Sequence, residues 1–173
     1  DGAPPSPSIL SASFSTNCTD KMPMNYLNIG LITLMFPNAK ILHCTRNPLD
    51  TCLSCYGNSF SSRMAYTADL TDLGMTYRQY QRIMDHWNSV NTVPIMEVNY
   101  ETLVSDPEPL LKKVMEFIDM PWDDACMNFH ETNRINATPS IDQVREPLYR
   151  GSMGRADKYG TKLDELRASL GID

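Results

Sequence analysis

Long apolar runs are missing from this sequence. None approaches the length a helix needs to cross a bilayer, and no basic-then-apolar leader opens the chain. We therefore expect a soluble, cytoplasmic protein without a membrane partner. A basic surplus is also missing: 15 Lys and Arg stand against 21 Asp and Glu, for a formal charge of −6. That balance argues against a general binder of nucleic acid or anionic membrane, while leaving room for a local basic pocket. Five cysteines, an odd number, do not make a disulfide framework. Cys52 and Cys55 form a C-x-x-C, but no second such pair and no paired histidines complete a zinc site. They are read as small buried residues in a reducing compartment, and no metal is expected. The pattern G-x-x-x-x-G-K-S/T occurs nowhere, which speaks against an ordinary P-loop kinase.

What is present is ordinary for one globular domain: 173 residues, 42% hydrophobic and 21% charged, enough to bury a proper core. Residues 1–16 read as an N-terminal arm. Asp1 to Ser8 is rich in Pro and Ser, and Ile9 to Thr16 alternates apolar with small polar residues, as an edge strand or an extended arm would. Residues 17–173 read as the domain itself.

The most informative stretch runs from Pro37 to Tyr56. Ala39 to Cys44 is short, apolar and β-capable. Thr45 to Pro48 breaks that pattern, and Asp50 to Tyr56 continues as a helix. Asn47 suits the N-cap, Pro48 the first helical position, and Asp50 the acid of a capping box. The unit is therefore strand, tight turn and helix, with Arg46 in the turn and Ser54 further along the helix. A helix N-terminus attracts an anion, Arg46 adds a planar fork for phosphate oxygens, and Ser54 adds a neutral hydroxyl. Pairing of Arg46 with Asp50 at (i, i+4) is the alternative on residue chemistry alone.

Around this unit, Asn17 to Asp20 reads as a strand end delivering Lys21 to a loop. Pro23 opens a helix over about Met24 to Phe36, with an apolar face of Tyr26, Leu27, Gly30, Leu31, Leu34 and Met35. Asn58 to Thr71 is polar and mixed, either a substrate loop or a plain surface loop. Thr76 to Val90 is a helix whose Tyr77, Tyr80, Ile83, Met84 and Trp87 recur at helical spacing as core. Pro94 to Val98 is a second strand and leads to Tyr100. Pro107 opens another helix, and Trp122 to Phe129 a shorter one. Ile135 to Gly151 is irregular, and Asp157 to Leu170 closes the chain as a helix with Leu163, Leu166 and Leu170 inward. His43 reads as a satisfied core histidine, His86 as a helix-surface residue, and His130 carries no assignment. Strands alternating with helices imply a parallel sheet covered on both faces, with ligands beyond the carboxyl ends of the strands. Lys21, Arg46 and Tyr100 would converge there.

The run Arg-Asn-Pro-Leu-Asp-Thr-Cys-Leu-Ser, residues 46–54, resembles the 3′-phosphate-binding motif of sulfotransferases that use 3′-phosphoadenosine-5′-phosphosulfate (PAPS). Further pieces are similar in the same order: Asp20-Lys21-Met22-Pro23 upstream, Asn99-Tyr100-Glu101 with Asp106-Pro107 downstream. Thr138-Pro139-Ser140, Gln143-Val144-Arg145, Gly154-Arg155 and Tyr159 follow. The set, over roughly residues 18–170, is similar to the tyrosylprotein-sulfotransferase-like branch and its bacterial relatives. The resemblance implies a three-layer α/β sandwich of the P-loop-NTPase-like sulfotransferase type. It implies that Arg46 and Ser54 hold the donor's 3′-phosphate, that Tyr100 meets the adenine, and that Ser152 and Arg155 contact donor phosphates. Lys21 would follow the bridging oxygen as it leaves, and Ser140 would contact that Lys and the donor.

The family's second phosphate loop, which binds the 5′-phosphosulfate, has no counterpart in the twenty residues before Lys21. The acidic base of the tyrosylprotein branch follows that loop. We therefore expect the C-terminal two-thirds of a sulfotransferase, with a hydroxyl or amine acceptor on a small molecule or peptide, and possible homo-oligomers. The alternative is a non-catalytic module that keeps only a site for 3′-phosphoadenosine-5′-phosphate (PAP).

Overall fold

The computed structural model describes residues 18–58, 62–90, 92–128 and 150–172. The anticipated arm and the loop carrying Ser140, Gln143, Val144 and Arg145 lie outside these residues, as does His130.

Two apolar runs form the sheet. β1 (Ile41–Thr45) and β2 (Ile95–Asn99) pair in parallel, with Ile41 opposite Ile95, His43 opposite Glu97 and Thr45 opposite Asn99. A parallel pair needs a long crossover. Here α2 (Pro48–Tyr56), a 3₁₀ segment (Ser62–Ala68) and α3 (Leu70–Val90) supply it. α3 meets the face that carries His43, and α4 (Tyr100–Ser105) and α5 (Pro107–Phe117) pack against β2, where Val98 is buried. The expected parallel sheet flanked by helices is what forms.

The main core lies beside the sheet rather than across it. Cys52 and Leu53 of α2, Leu73 of α3, and Ala156, Leu163, Leu166 and Leu170 of the C-terminal segment pack together, with Leu49, Leu70 and Tyr77 at the margin. Leu163, Leu166 and Leu170 face inward as their spacing predicts, with Leu166 fully buried. That segment is not one helix, however. A 3₁₀ stretch (Ala156–Leu163) breaks at Gly160, where φ is 51° and ψ −128°, before α6 (Asp164–Leu170) begins.

Four other expectations are corrected. α3 begins at Leu70, not Thr76, where Asp69 caps it by accepting from the Asp72 amide at 2.9 Å, and Ser62–Ala68 is 3₁₀, so the described part of the loop expected over 58–71 is largely helical. Pro23 opens a 3₁₀ stretch (Pro23–Asn28) before α1 (Ile29–Met35). In this segment part of the face expected to be buried is exposed: Leu27, Leu31, Leu34 and Met35 meet solvent, Leu34 with 83% of its surface. Tyr26 and Gly30 of that face do pack inward, Tyr26 edge-on to the Tyr80 ring and Gly30 against the Trp87 ring, while Trp87 Nε1 donates to the Tyr26 carbonyl at 2.7 Å and Ile29, outside the expected face, is buried. Both sides of this segment are apolar, so its periodicity does not tell them apart. Trp122 to Asn128 holds a single 3₁₀ turn (Asp124–Cys126), not a helix. Residues 18–22 carry no strand, so Lys21 does not follow a strand end.

Candidate functional site

The turn after β1 is built as its residues dictate. Asn47 caps α2 by accepting from the Asp50 amide at 3.1 Å, and Pro48 follows at the first helical position. The reciprocal half of the expected capping box is made by another residue: the Asn47 amide donates to Glu101 Oε1 at 2.9 Å, while Glu101 Oε2 accepts from Asn99 Nδ2 at 2.9 Å. Glu101 thus locks the two strand-end turns together. It also means that two amides at this helix start are already paired, so the attraction for an anion rests on Arg46 more than on the helix end.

Asp50 is freed for a different task. It is 2% exposed, and its two oxygens accept from the Gly154 amide at 2.7 Å and the Ala156 amide at 2.8 Å. Arg46 Nη2 lies 3.9 Å from Asp50 Oδ2, so the alternative pairing is present as a long contact. The same Nη2 donates to the Ser152 carbonyl. The guanidinium carbon sits 4.9 Å from the centroid of the Tyr100 ring, within cation–π range. Arg46 Nε is buried and has no hydrogen-bond partner among the described residues.

These contacts bring together Arg46, Tyr100 and Ser152, and they fix the turn that carries Arg155, whose side chain is exposed. Ser54 stands half-buried on α2, one helical turn beyond Asp50 on the same face. Lys21 is exposed in the stretch before Pro23, and the contacts that tie the cluster do not include it. Ser140 lies outside the described residues. Sequence reasoning missed Asp50 as a link between distant segments, and gave Glu101 no role beyond its place in the Asn99-Tyr100-Glu101 match. The only signal for Asp50 was its (i, i+4) spacing from Arg46.

Beside Arg46, on the α3 side of the sheet, a cleft of about 560 Å³ is lined by His43, Thr45, Tyr77, Tyr80, Asp85 and Glu97, among others. Its size is in the range of small-molecule sites. Thr45 Oγ1 donates to Glu97 Oε1 at 2.9 Å, and His43 Nε2 is hydrogen-bonded to the Tyr80 hydroxyl. Burial, with lesser contributions from neighbouring acidic groups, pushes Tyr77 and Tyr80 up to about 12, so both phenols stay protonated. Burial lowers His43, with Glu97 opposing, and favours a neutral ring that shares a hydrogen bond with the Tyr80 hydroxyl. His43 is hydrogen-bonded as expected from the sequence, but it is half-buried and lines the cleft rather than sitting in the core. Cys52, buried on α2, is pushed up to about 12 by burial, and Cys55 is raised by burial against the pull of Arg46. Neither is a ready thiolate, as expected of small buried residues.

Among the described residues Arg46 Nε is a buried donor without a partner, and the neighbouring carboxylates of Asp50 and Glu101 are occupied by amide donors, an arrangement suited to an anion. Among the described residues no group of three or more His, Cys, Asp or Glu is placed to hold a metal, and no helix is long and apolar enough to cross a membrane.

Comparison with known proteins agrees with the motif reading. A family model described as "Sulfotransferase family" matches residues 9–124. An uncharacterized protein of Aquifex aeolicus is 37% identical over 85% of this chain and 20% of its own length. The protein-tyrosine sulfotransferase of Drosophila melanogaster is 29% identical over 79% of the chain and 29% of its own length. Protein-tyrosine sulfotransferase A of Caenorhabditis elegans is 28% identical over 75% of the chain and 36% of its own length. The chain therefore spans a fifth to about a third of these relatives.

Proposed function

Because the chain belongs to the sulfotransferase family, we propose that it binds PAPS and takes part in moving a sulfuryl group to a hydroxyl or amine acceptor. The single observation that carries this reading is Arg46: a half-buried guanidinium whose Nε has no partner among the described residues, held between Tyr100 and the Ser152 carbonyl. When bound, PAPS supplies the sulfuryl group, and PAP is the product. Arg46 and Ser54 hold the 3′-phosphate through a charge-assisted fork and a neutral hydroxyl. Tyr100 packs the nucleotide side of the site, and Ser152 and Arg155 add contacts to donor phosphates. Lys21 neutralises charge on the leaving oxygen, and Ser140 supports it. The protein-tyrosine sulfotransferases among the relatives favour a tyrosyl acceptor on a peptide. The cleft beside Arg46 offers room for one.

One observation favours a second reading, a PAP-binding module without chemistry. The described contacts of the cluster tie Arg46, Tyr100 and Ser152 together, and none of them includes the exposed Lys21. Titration calorimetry with PAP tests the shared premise. Wild type should bind, and Arg46→Ala should weaken binding at least about 10-fold, the scale of one lost charge-assisted contact of about 1.5–3 kcal/mol. Equal affinities reject the assignment. A sulfate-transfer assay on tyrosyl peptides and small hydroxyl acceptors then separates the two readings: binding without transfer supports the module.

A further inference from the structure

We propose that Asp50 is a positioning residue of the donor site: it holds the 152–156 turn against the start of α2, so that Ser152 and Arg155 reach the phosphate that Arg46 grips. This rests on the PAPS reading above.

An acid at the third position of a helix ordinarily reaches back to the cap or lies in solvent near the positive helix end. Asp50 does neither. Its carboxylate is 2% exposed, and a buried charge is tolerated only where donors satisfy it. The donors are two backbone amides from far along the chain, Gly154 at 2.7 Å and Ala156 at 2.8 Å. Arg46, one helical turn earlier, donates to the carbonyl of Ser152. The start of α2 therefore reads alternate residues of one turn: the cation takes a carbonyl at 152, and the anion takes amides at 154 and 156. Gly154 has φ +64°, the left-handed conformation that glycine adopts freely, and this turn carries its amide to Asp50. Arg155, between the two gripped amides, has an exposed side chain.

The side-chain chemistry is specific. Asn at this position would keep the shape but offer one acceptor oxygen and a donor NH₂ that opposes an amide N–H. A role confined to stability would lower melting temperature and leave ligand affinity of the folded protein alone. A positioning role makes affinity depend on Asp50 through Arg155.

The test is a double-mutant cycle in PAP affinity, read by calorimetry on the whole chain, with backbone amide exchange as a second measurement. Asp50→Asn should weaken PAP binding by about 10-fold or more, but by less than about 3-fold in an Arg155→Ala background, the non-additivity expected of residues acting through one another. Exchange should show lost protection at Gly154 and Ala156 and retained protection at Leu166. Equal PAP affinity in wild type and Asp50→Asn, or equal fold-losses in both backgrounds, overturns the proposal while the donor-site reading stands. A wild type that binds no PAP overturns both. Where Asp50→Asn fails to fold, Asp50→Glu carries the same cycle, since it keeps the charge and both oxygens but sets them one methylene further out.

Discussion

Arg46 lies over the ring of Tyr100, its guanidinium carbon 4.9 Å from the ring centroid, although the two leave the sheet from different strands. The parallel register makes this possible, because Thr45 and Asn99, the residues just before them, stand opposite each other at the strand ends. One face of the tyrosine is thus spent on the arginine, and in the proposed donor site the ring would act partly through that contact.

This predicts an asymmetry between two substitutions. Tyr100→Phe keeps the ring face and should change PAP affinity by less than about 2-fold, whereas Tyr100→Leu loses the cation–π support of about 0.5–1 kcal/mol and weakens binding by about 2- to 5-fold. Calorimetry with PAP reads both. A phenylalanine variant as weak as the leucine one would place the effect in the hydroxyl instead.

Gly74 shows where local propensity misleads. A glycine costs a helix about 1 kcal/mol relative to alanine, and here it sits inside α3, two residues before the start expected at Thr76. A Cβ on Gly74 would come 2.4 Å from Ser169 Oγ and 2.7 Å from Ser169 Cβ, so the glycine is what lets α6 approach α3. Ser169 Oγ seals that contact by donating to the Thr71 carbonyl at 2.6 Å. Gly74→Ala should therefore destabilise the fold by about 1–3 kcal/mol, against its helix propensity. Urea denaturation measures it, and a stabilised variant would mean the helices have room to part.

The same contrast explains how much was legible in the sequence. Asn47, Pro48 and the apolar runs on either side declare their roles within a few residues, because caps and strands are set by local chemistry. The parallel sheet follows from two such runs joined by a helical crossover. The partner of Asp50 is invisible, since nothing near residue 50 says that amides at 154 and 156 will arrive there. α1 fails for a different reason: from Met22 to Asn38 no Asp, Glu, Lys, Arg or His marks an outer face. The Asp69 cap and its Asp72 amide were legible in principle, but the polar, mixed composition of 58–71 reads as loop. Of the candidate site, Arg46 and Tyr100 came from spacing and resemblance together, and the bond that ties Ser152 to Arg46 needed the fold.

His43 sets an acid-side limit on stability. Its folded pKa is lowered by burial, with Glu97 opposing, while the unfolded chain has the ordinary value near 6.5. Below that value the unfolded state binds a proton that the native state resists, so the unfolded state is favoured as pH falls. Stability is then full above about pH 6.5 and declines below it, until pH reaches the folded pKa. Tyr80, the hydrogen-bond partner, stays protonated through this window. Melting temperature measured from pH 7.5 to 5 should fall in wild type and fall less in His43→Gln, whose side chain does not titrate. Parallel curves for the two proteins would assign the decline to other groups.

Lys21 tests chemistry rather than binding. It is exposed and outside the Arg46 cluster, so donor affinity should rest on Arg46, Ser54 and Tyr100. Charge on the bridging oxygen grows only as the S–O bond breaks, and an ammonium that follows it gains most at that moment. In a form of the protein that transfers sulfate, Lys21→Ala should lower kcat by about two orders of magnitude, the scale of losing one preorganised electrostatic donor, with little change in donor KM. Lys21→Arg should recover only part of the rate, because a planar fork does not follow a single oxygen as a compact ammonium does. A normal kcat with a raised donor KM would mean that Lys21 binds the ground state alone. The charge on the leaving oxygen would then have to be met by residues of the phosphate cluster itself, with Arg155 the first to examine, since its side chain is exposed beside the turn that Asp50 holds.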